Sequence, residues 1–355
     1  MTGAVYDRGY RPYEGARGGR RAARAALWRL SIRRALGLRR PWRQKVAPFV
    51  LLGIAVIPAI VNVGVEYLTR DTVAEGLDFI TYREYVGVSN ALLVFVALTA
   101  PDIMCPDRRQ RVLPLIFARP LTGTDYVLAK VGAMASILFA FSFLPQVVLF
   151  VGQMLVSDDG ALRYLRDNAE VLWQVPIAVA LLALYYASIG VAIASLTTRR
   201  IIAGATIIGL FLVSSIVASI VTGPEERVSF RGGPPNTIIT EDGGVVVVPG
   251  PLTPGSPRTP GSGSPFGSTD GPVLEPGPSQ TDQYFIVRRE PTAGPLLNLL
   301  GLPLVLRDLV FLGEVDDAEP LHGYPGAAGY AIGIYVALVG AALVVLRVRY
   351  SEVER

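Results

Sequence analysis

The sequence predicts an all-α integral membrane protein with six transmembrane helices, and three observations carry that prediction. Of the 355 residues, 51% are hydrophobic, more than an ordinary soluble protein of this length holds. The apolar residues gather in runs of about 20, the length a helix needs to cross about 30 Å of hydrocarbon. The charges between those runs partition: with residues 1–45, 102–130, 197–200 and 347–355 on one side, that side holds 23 of the 33 basic residues but only 7 of the 29 acidic ones. Basic loops stay inside, so this side is expected to be cytoplasmic, with both termini on it.

Composition also excludes chemistry. One cysteine, Cys105, rules out an internal disulfide, and one histidine, His322, leaves no Cys/His cluster for zinc. Neither lysine, Lys45 or Lys130, stands in the Gly-Lys-Ser/Thr setting of a phosphate-binding loop, so the chain carries no ATPase site of that type. No catalytic constellation appears, and no charge falls in the middle of any of the six runs, as it would in most ion-coupled transporters. Arginine outnumbers lysine 31 to 2, which fits a GC-rich bacterial genome and hence a bacterial plasma membrane.

The elements follow in order. Residues 1–45 carry 13 basic residues against Asp7 and Glu14 and lack the early apolar core of a secretory signal. Within them, over 20–40, Ala23, Ala26, Leu27 and Leu30 interleave with arginines, the pattern of an amphipathic helix on an anionic membrane surface rather than a nucleic-acid-binding tail. The first span is predicted at 46–68, bent at Pro48 and Pro58, and the second at 86–104. The third runs over 123–156, long enough for its first turns to project from the bilayer. The fourth and fifth, 172–196 and 201–222, are joined by four residues and so form a tight antiparallel hairpin.

Residues 223–326 form an extracellular insertion. Its first part, 223–279, holds 12 prolines and 12 glycines in 57 residues and reads as low-complexity. Two β-prone runs within it, 237–240 and 245–248, flank a turn and predict a hairpin. The segment 296–314 is apolar but carries Pro303, Arg307 and Asp308, so it is expected to be interfacial or re-entrant. The sixth span is 327–346, and 347–355 is a cytoplasmic tail.

Between the second and third spans lies a charged stretch, 102–130, that cannot stay in hydrocarbon, where each unpaired charge costs at least about 2.5 kcal/mol. Its prolines predict a short helix over 106–113 opened by Pro106, a break at Pro114, and a turn at Arg119 and Pro120. Thr122 and Asp125 have the spacing of a capping box, so the third span should open at Gly123.

This stretch resembles the permease subunits of ABC-2 type transporters, which carry a cytoplasmic coupling helix, a Pro-Leu turn and an aromatic-x-x-x-Lys run at that place. Here the matching residues are Asp107, Arg108 and Arg109, then Arg119, Pro120 and Leu121, then Tyr126 and Lys130, with Arg111 to Pro114 where the family often has Gly-Thr-Leu-Glu. The resemblance implies a membrane subunit of an ATP-driven exporter, a homodimer or heterodimer of permease protomers in the lipid bilayer. It implies two separate ATPase subunits, which bind ATP-Mg, and an elbow helix near the N-terminus; no nucleic acid is implied. It places coupling at 105–122, with Asp107, Arg108, Arg109, Arg111, Arg119 and Asp125 facing the ATPase. It also lets Asn90, Ser214, Ser215 and Ser219 face a substrate path between protomers. On the residues alone those hydroxyls and Asn90 can equally bond helix to helix, aided by the small pairs Ala205/Gly209 and Ser215/Ser219. Two other functions remain open: a membrane anchor or assembly protein whose extracellular segment binds a partner, and an ion-coupled secondary transporter.

Overall fold

In the computed structural model the described residues are 18–37, 46–69, 81–86, 89–118, 121–157, 160–223, 226–231, 236–239, 245–248, 283–288, 292–316, 321 and 324–354. They divide into two compact units, one of 1–222 with 291–355 and one of 223–290. The first unit is helical. Its elements are α1 (Arg20–Ala35), α2 (Val46–Thr69), α3 (Tyr82–Tyr85), α4 (Ser89–Arg109), α5 (Leu113–Phe117), α6 (Gly123–Val156), α7 (Ala161–Asp167), α8 (Val171–Leu196), α9 (Arg200–Thr222), a 3-10 turn (Gly294–Leu297), α10 (Leu302–Leu312) and α11 (Ala327–Glu354). Among the described residues, four helices are long and apolar enough to cross a membrane: α6, α8, α9 and α11, the last over Ala327–Ser351.

Helix α8 sits at the centre, packed by α4, α6, α9, α10 and α11. Its most apolar stretch is 72% buried, against 22% in α9 and 28% in α11, so α8 is the core of the unit while the other two turn apolar faces outward. The centre is aromatic. Tyr185 and Tyr186 stand 5.4 Å apart edge to face, Tyr185 stacks on Tyr335 of α11 at 5.5 Å, and Tyr186 meets Phe211 of α9 at 5.3 Å. Pairs of this geometry add stability beyond the area they bury. The Tyr335 hydroxyl donates to the Leu181 carbonyl and that of Tyr186 to the Leu300 carbonyl, both at 2.9 Å, which satisfies two buried phenols.

Small residues bring backbones together, but not those the spacing singled out. A Cβ on Gly190 would come within 2.6 Å of Val96 and one on Gly204 within 2.8 Å of the Ala97 carbonyl oxygen, so α4 packs closely against both α8 and α9. At Gly209 a Cβ would meet nothing, and Ala205 and Ser219 are exposed. The predicted pairs therefore lie on the outer face of α9. Because the obstacle at Gly204 is backbone, Gly204→Val should separate α4 from α9, and detergent-purified protein should unfold at lower temperature; Gly209→Val should change little.

The element boundaries follow the prediction for α2, α6, α8 and α9 within one residue or so, and differ at prolines and helix ends. α6 is 34 residues, about 51 Å, which exceeds the hydrocarbon thickness. α10 has 11 residues, about 16 Å, too short to cross, and Pro303 lies in its first turn rather than breaking it. Two short helices, α3 and α7, stand in the polar loops 69–85 and 158–170, where the sequence predicts none. α11 continues through the predicted tail to Glu354.

The described residues of the second unit are almost all in strands. This unit holds two separate two-stranded antiparallel sheets, β1 (Glu226–Arg231) with β4 (Gln283–Arg288) and β2 (Asn236–Ile239) with β3 (Val245–Val248). The β2–β3 pair is the predicted hairpin, in a register that sets Asn236 opposite Val248. The β1–β4 pair joins strands far apart in sequence, so no turn signal announces it. These strands depart from an all-α reading of the chain.

Candidate functional site

The charged stretch is built differently from its prediction. α4 does not stop before it: the helix runs through Pro106 to Arg109, so the polar end belongs to the same rod as the apolar run. The chain then breaks at Gln110 to Val112, where Arg111 takes a left-handed φ of 52°, a costly conformation for a residue with a side chain. α5 follows, with Pro114 in its first turn, where no amide hydrogen is needed. The expected helix over 106–113 with a break at Pro114 is thus replaced by a helix end, a break at 110–112 and a helix opened by that proline. The turn at Arg119 and Pro120 lies outside the described residues. The capping box forms as predicted: the Thr122 hydroxyl accepts from the Asp125 amide at 3.3 Å, and the Asp125 carboxylate accepts from the Thr122 amide at 3.2 Å.

The carboxylates of this stretch turn inward. Asp107 is fully buried and takes Lys130 Nζ at 2.6 Å, the Tyr126 hydroxyl at 3.0 Å, and Arg34 from α1. Lys130, itself 1% exposed, also donates to the Ile103 carbonyl at 2.9 Å. Asp125 holds Arg20 at 2.5 Å and Arg24 at 3.6 Å, and Arg20 also donates to the Thr122 hydroxyl at 2.9 Å. Asp102 pairs with Arg200, and Arg108 donates to the Ser195 carbonyl. From the other end of the chain, Tyr350 of α11 packs on Tyr126 at 4.8 Å between ring centroids. One cluster therefore joins α1, α4, α6 and α11, and its neighbours bind the α8–α9 turn to the end of α4.

Burial alone would drive the Asp107 carboxyl toward its neutral form, but Lys130, Arg34 and the Tyr126 hydroxyl outweigh it and hold the group below the ordinary carboxylate range. The folded value lies below the unfolded one, so this stability is present above about pH 3.9 and is lost as pH falls through the folded value. Acid unfolding in detergent should therefore steepen below about pH 4, and Asp107→Asn should lack that component.

Of the predicted coupling residues, Asp107 and Asp125 are buried against their own chain, Arg108 is half-buried on Ser195, and Arg109 and Arg111 are exposed; Arg119 lies outside the described residues. The inward carboxylates correct the expectation that the whole charged face is on offer: they need cations, and α1 and α6 supply them. Beside Arg109 and Arg111, α5 exposes 72% of Leu115. A groove of about 490 Å³ runs between α1 and α5, with Leu27, Leu30, Leu115 and Ile116 on its walls and Arg29 and Arg33 at its edge.

Among the predicted path residues, the described side chains are the three serines of α9. Ser214 donates to the Phe211 carbonyl at 2.8 Å and accepts from the Leu299 amide at 3.2 Å, pinning the segment before α10 to α9. Ser215 is half-buried, Ser219 is exposed and bonds its own helix at Ile216, and the Asn90 side chain lies outside the described residues.

Sequence reasoning missed a second cluster at the opposite end of α4. Asp308 of α10, 1% exposed, receives Arg307 at 2.7 Å and lies 4.0 Å from Arg83, while Arg83 also pairs with Asp316 at 2.6 Å. Arg307 donates further to the Val86 carbonyl at 3.1 Å. The only signal was an Arg-Asp pair inside an apolar run. Asp308→Ala should leave two cations facing a buried site and loosen α10, seen as faster proteolysis between α10 and α11. Comparison with protein-family models, with curated proteins and with solved structures returns no match for this chain.

Proposed function

We propose that the chain is the membrane-spanning permease subunit of an ATP-driven ABC-2 type exporter in a bacterial plasma membrane, dimeric and coupled to two separate ATPase subunits. It spans six times, with α2 and the apolar part of α4 joining the four long helices, and with both termini in the cytoplasm. The observation that carries the reading is the joint between α4 and α6. Asp107, Lys130 and Tyr126 fix the two helices to each other inside the protein, while Arg109, Arg111 and Leu115 remain at its surface. A surface segment locked to two spanning helices is what transmission of an ATPase movement requires. ATP binding would draw the ATPases together, α5 and the end of α4 would follow, and the path between protomers would open outward. Ser214, Ser215 and Ser219 sit on the helix that would line that path, with Asn90 on α4.

Topology and partner are tested separately. After Cys105→Ser, a cysteine at Arg163 should react with a membrane-impermeant thiol reagent on intact cells and one at Thr198 should not; reversed labelling overturns the orientation. Purification from native membranes should bring down an ATP-hydrolysing subunit in equal amount, and its absence overturns the exporter reading.

A further inference from the structure

Three aromatic rings and one incompletely bonded amide meet where α3 packs on α6 and α8. Tyr82 of α3, Phe143 and Phe150 of α6, and Val175 and Pro176 of α8 wall a pocket of about 170 Å³, and Gln146 of α6 brings an amide to it. Gln146 is 2% exposed. Its Nε2 donates to the Tyr82 carbonyl at 3.3 Å, and because a carbonyl can only accept, this bond fixes which way the amide is turned. Its Oε1 is buried and has no hydrogen-bond partner. The Tyr82 hydroxyl is engaged elsewhere, with the Tyr164 hydroxyl at 2.7 Å. The pocket opens beside Val147 and Leu172, which are 41% and 52% exposed.

Size and chemistry narrow the occupant. An apolar cavity of about 150 Å³ holds one benzene ring, so this pocket fits a single ring and little more. Tyr82, Phe143 and Phe150 offer that ring edge and face contacts, which an acyl chain cannot return. A buried acceptor left unmet is costly, and only an occupant with a donor relieves it. Water carries a donor, but a buried water needs several polar partners, and the carbonyl and hydroxyl of Tyr82 are already engaged. We infer that the pocket binds one phenol: the ring lies among the three aromatic side chains, and its hydroxyl donates to Gln146 Oε1. On the membrane reading such a ligand arrives through the bilayer, past Val147 and Leu172. The exporter reading is not needed for it.

The test uses purified full-length protein in detergent, without any ATPase, and follows para-fluorophenol by fluorine NMR. The control ligand is para-fluorotoluene, an isostere whose methyl group replaces the hydroxyl. Saturable binding of one fluorophenol per chain is expected. Val147→Trp, at the exposed mouth, should abolish it without disturbing the fold. Gln146→Met keeps the length of the side chain and removes the amide, and it should lower the preference for fluorophenol over fluorotoluene about tenfold, the equivalent of one hydrogen bond. Uptake that does not saturate, full retention by Val147→Trp, or an unchanged preference in Gln146→Met would each overturn the proposal. Displacement of fluorophenol by added phosphatidylcholine would give the pocket to an acyl chain and overturn it as well. If Gln146→Met does not fold, Val147→Trp and the lipid competition still decide the matter.

Discussion

Asp107→Ala is expected to lower the stability of the purified protein by about 3 to 5 kcal/mol, the usual cost of removing one member of a buried ion pair. The substitution leaves Lys130, 1% exposed, without its carboxylate, and takes the acceptor from the Tyr126 hydroxyl. Arg34 suffers less, because its side chain is 32% exposed and can turn to water. Lys130→Met should cost less, because Asp107 keeps Arg34 and the Tyr126 hydroxyl. The informative variant is the pair: Asp107→Leu with Lys130→Met removes both charges together, and apolar replacement of a buried pair is often neutral. It should recover much of what either single change loses, measured as the fraction surviving heat in detergent. Additive losses would mean that the two side chains act independently and that no joint exists between α4 and α6.

On the exporter reading we propose, Arg109→Glu with Arg111→Glu should leave that stability almost unchanged and abolish association with the proposed ATPase subunit. Both side chains are exposed, so reversal disturbs no internal pair, whereas the same change at Arg108 would disturb its bond to the Ser195 carbonyl. At a desolvated interface, loss of one charged partner costs about 2 to 5 kcal/mol, enough to remove the ATPase from a pull-down. If instead the arginines only touch lipid headgroups, each contributes about 1 kcal/mol to membrane attachment, and the ATPase would stay. The remaining basic residues on that side, 21 of the 23 counted above, should preserve the insertion.

The helices were legible where one physical rule acted alone. Apolar length placed α2, α6, α8 and α9, and the spacing of Thr122 and Asp125 placed the start of α6. Prolines misled because their effect depends on position: Pro106 is carried inside α4, and Pro114 and Pro303 open helices instead of ending them. The charged stretch was found, but not its arrangement. Reading charge along the chain puts Asp107 on a wet face, whereas its partners Lys130 and Arg34 come from helices that only the fold brings beside it. The same holds for Asp308, whose second cation, Arg83 of α3, comes from more than two hundred residues earlier. The small residues of α9 also misled, since spacing selects a face but not whether that face meets another helix: Gly204 does and Gly209 does not.

The claim that α5 and the end of α4 receive the movement of an ATPase is tested most directly by cross-linking from Leu115. A photoreactive residue at that position, whose side chain is 72% exposed, would be illuminated in native membranes with and without a non-hydrolysable ATP analogue. The predicted result is an adduct with an ATP-hydrolysing subunit whose yield changes when the analogue is present. Adducts with phospholipid alone, or with no protein in either condition, would contradict it.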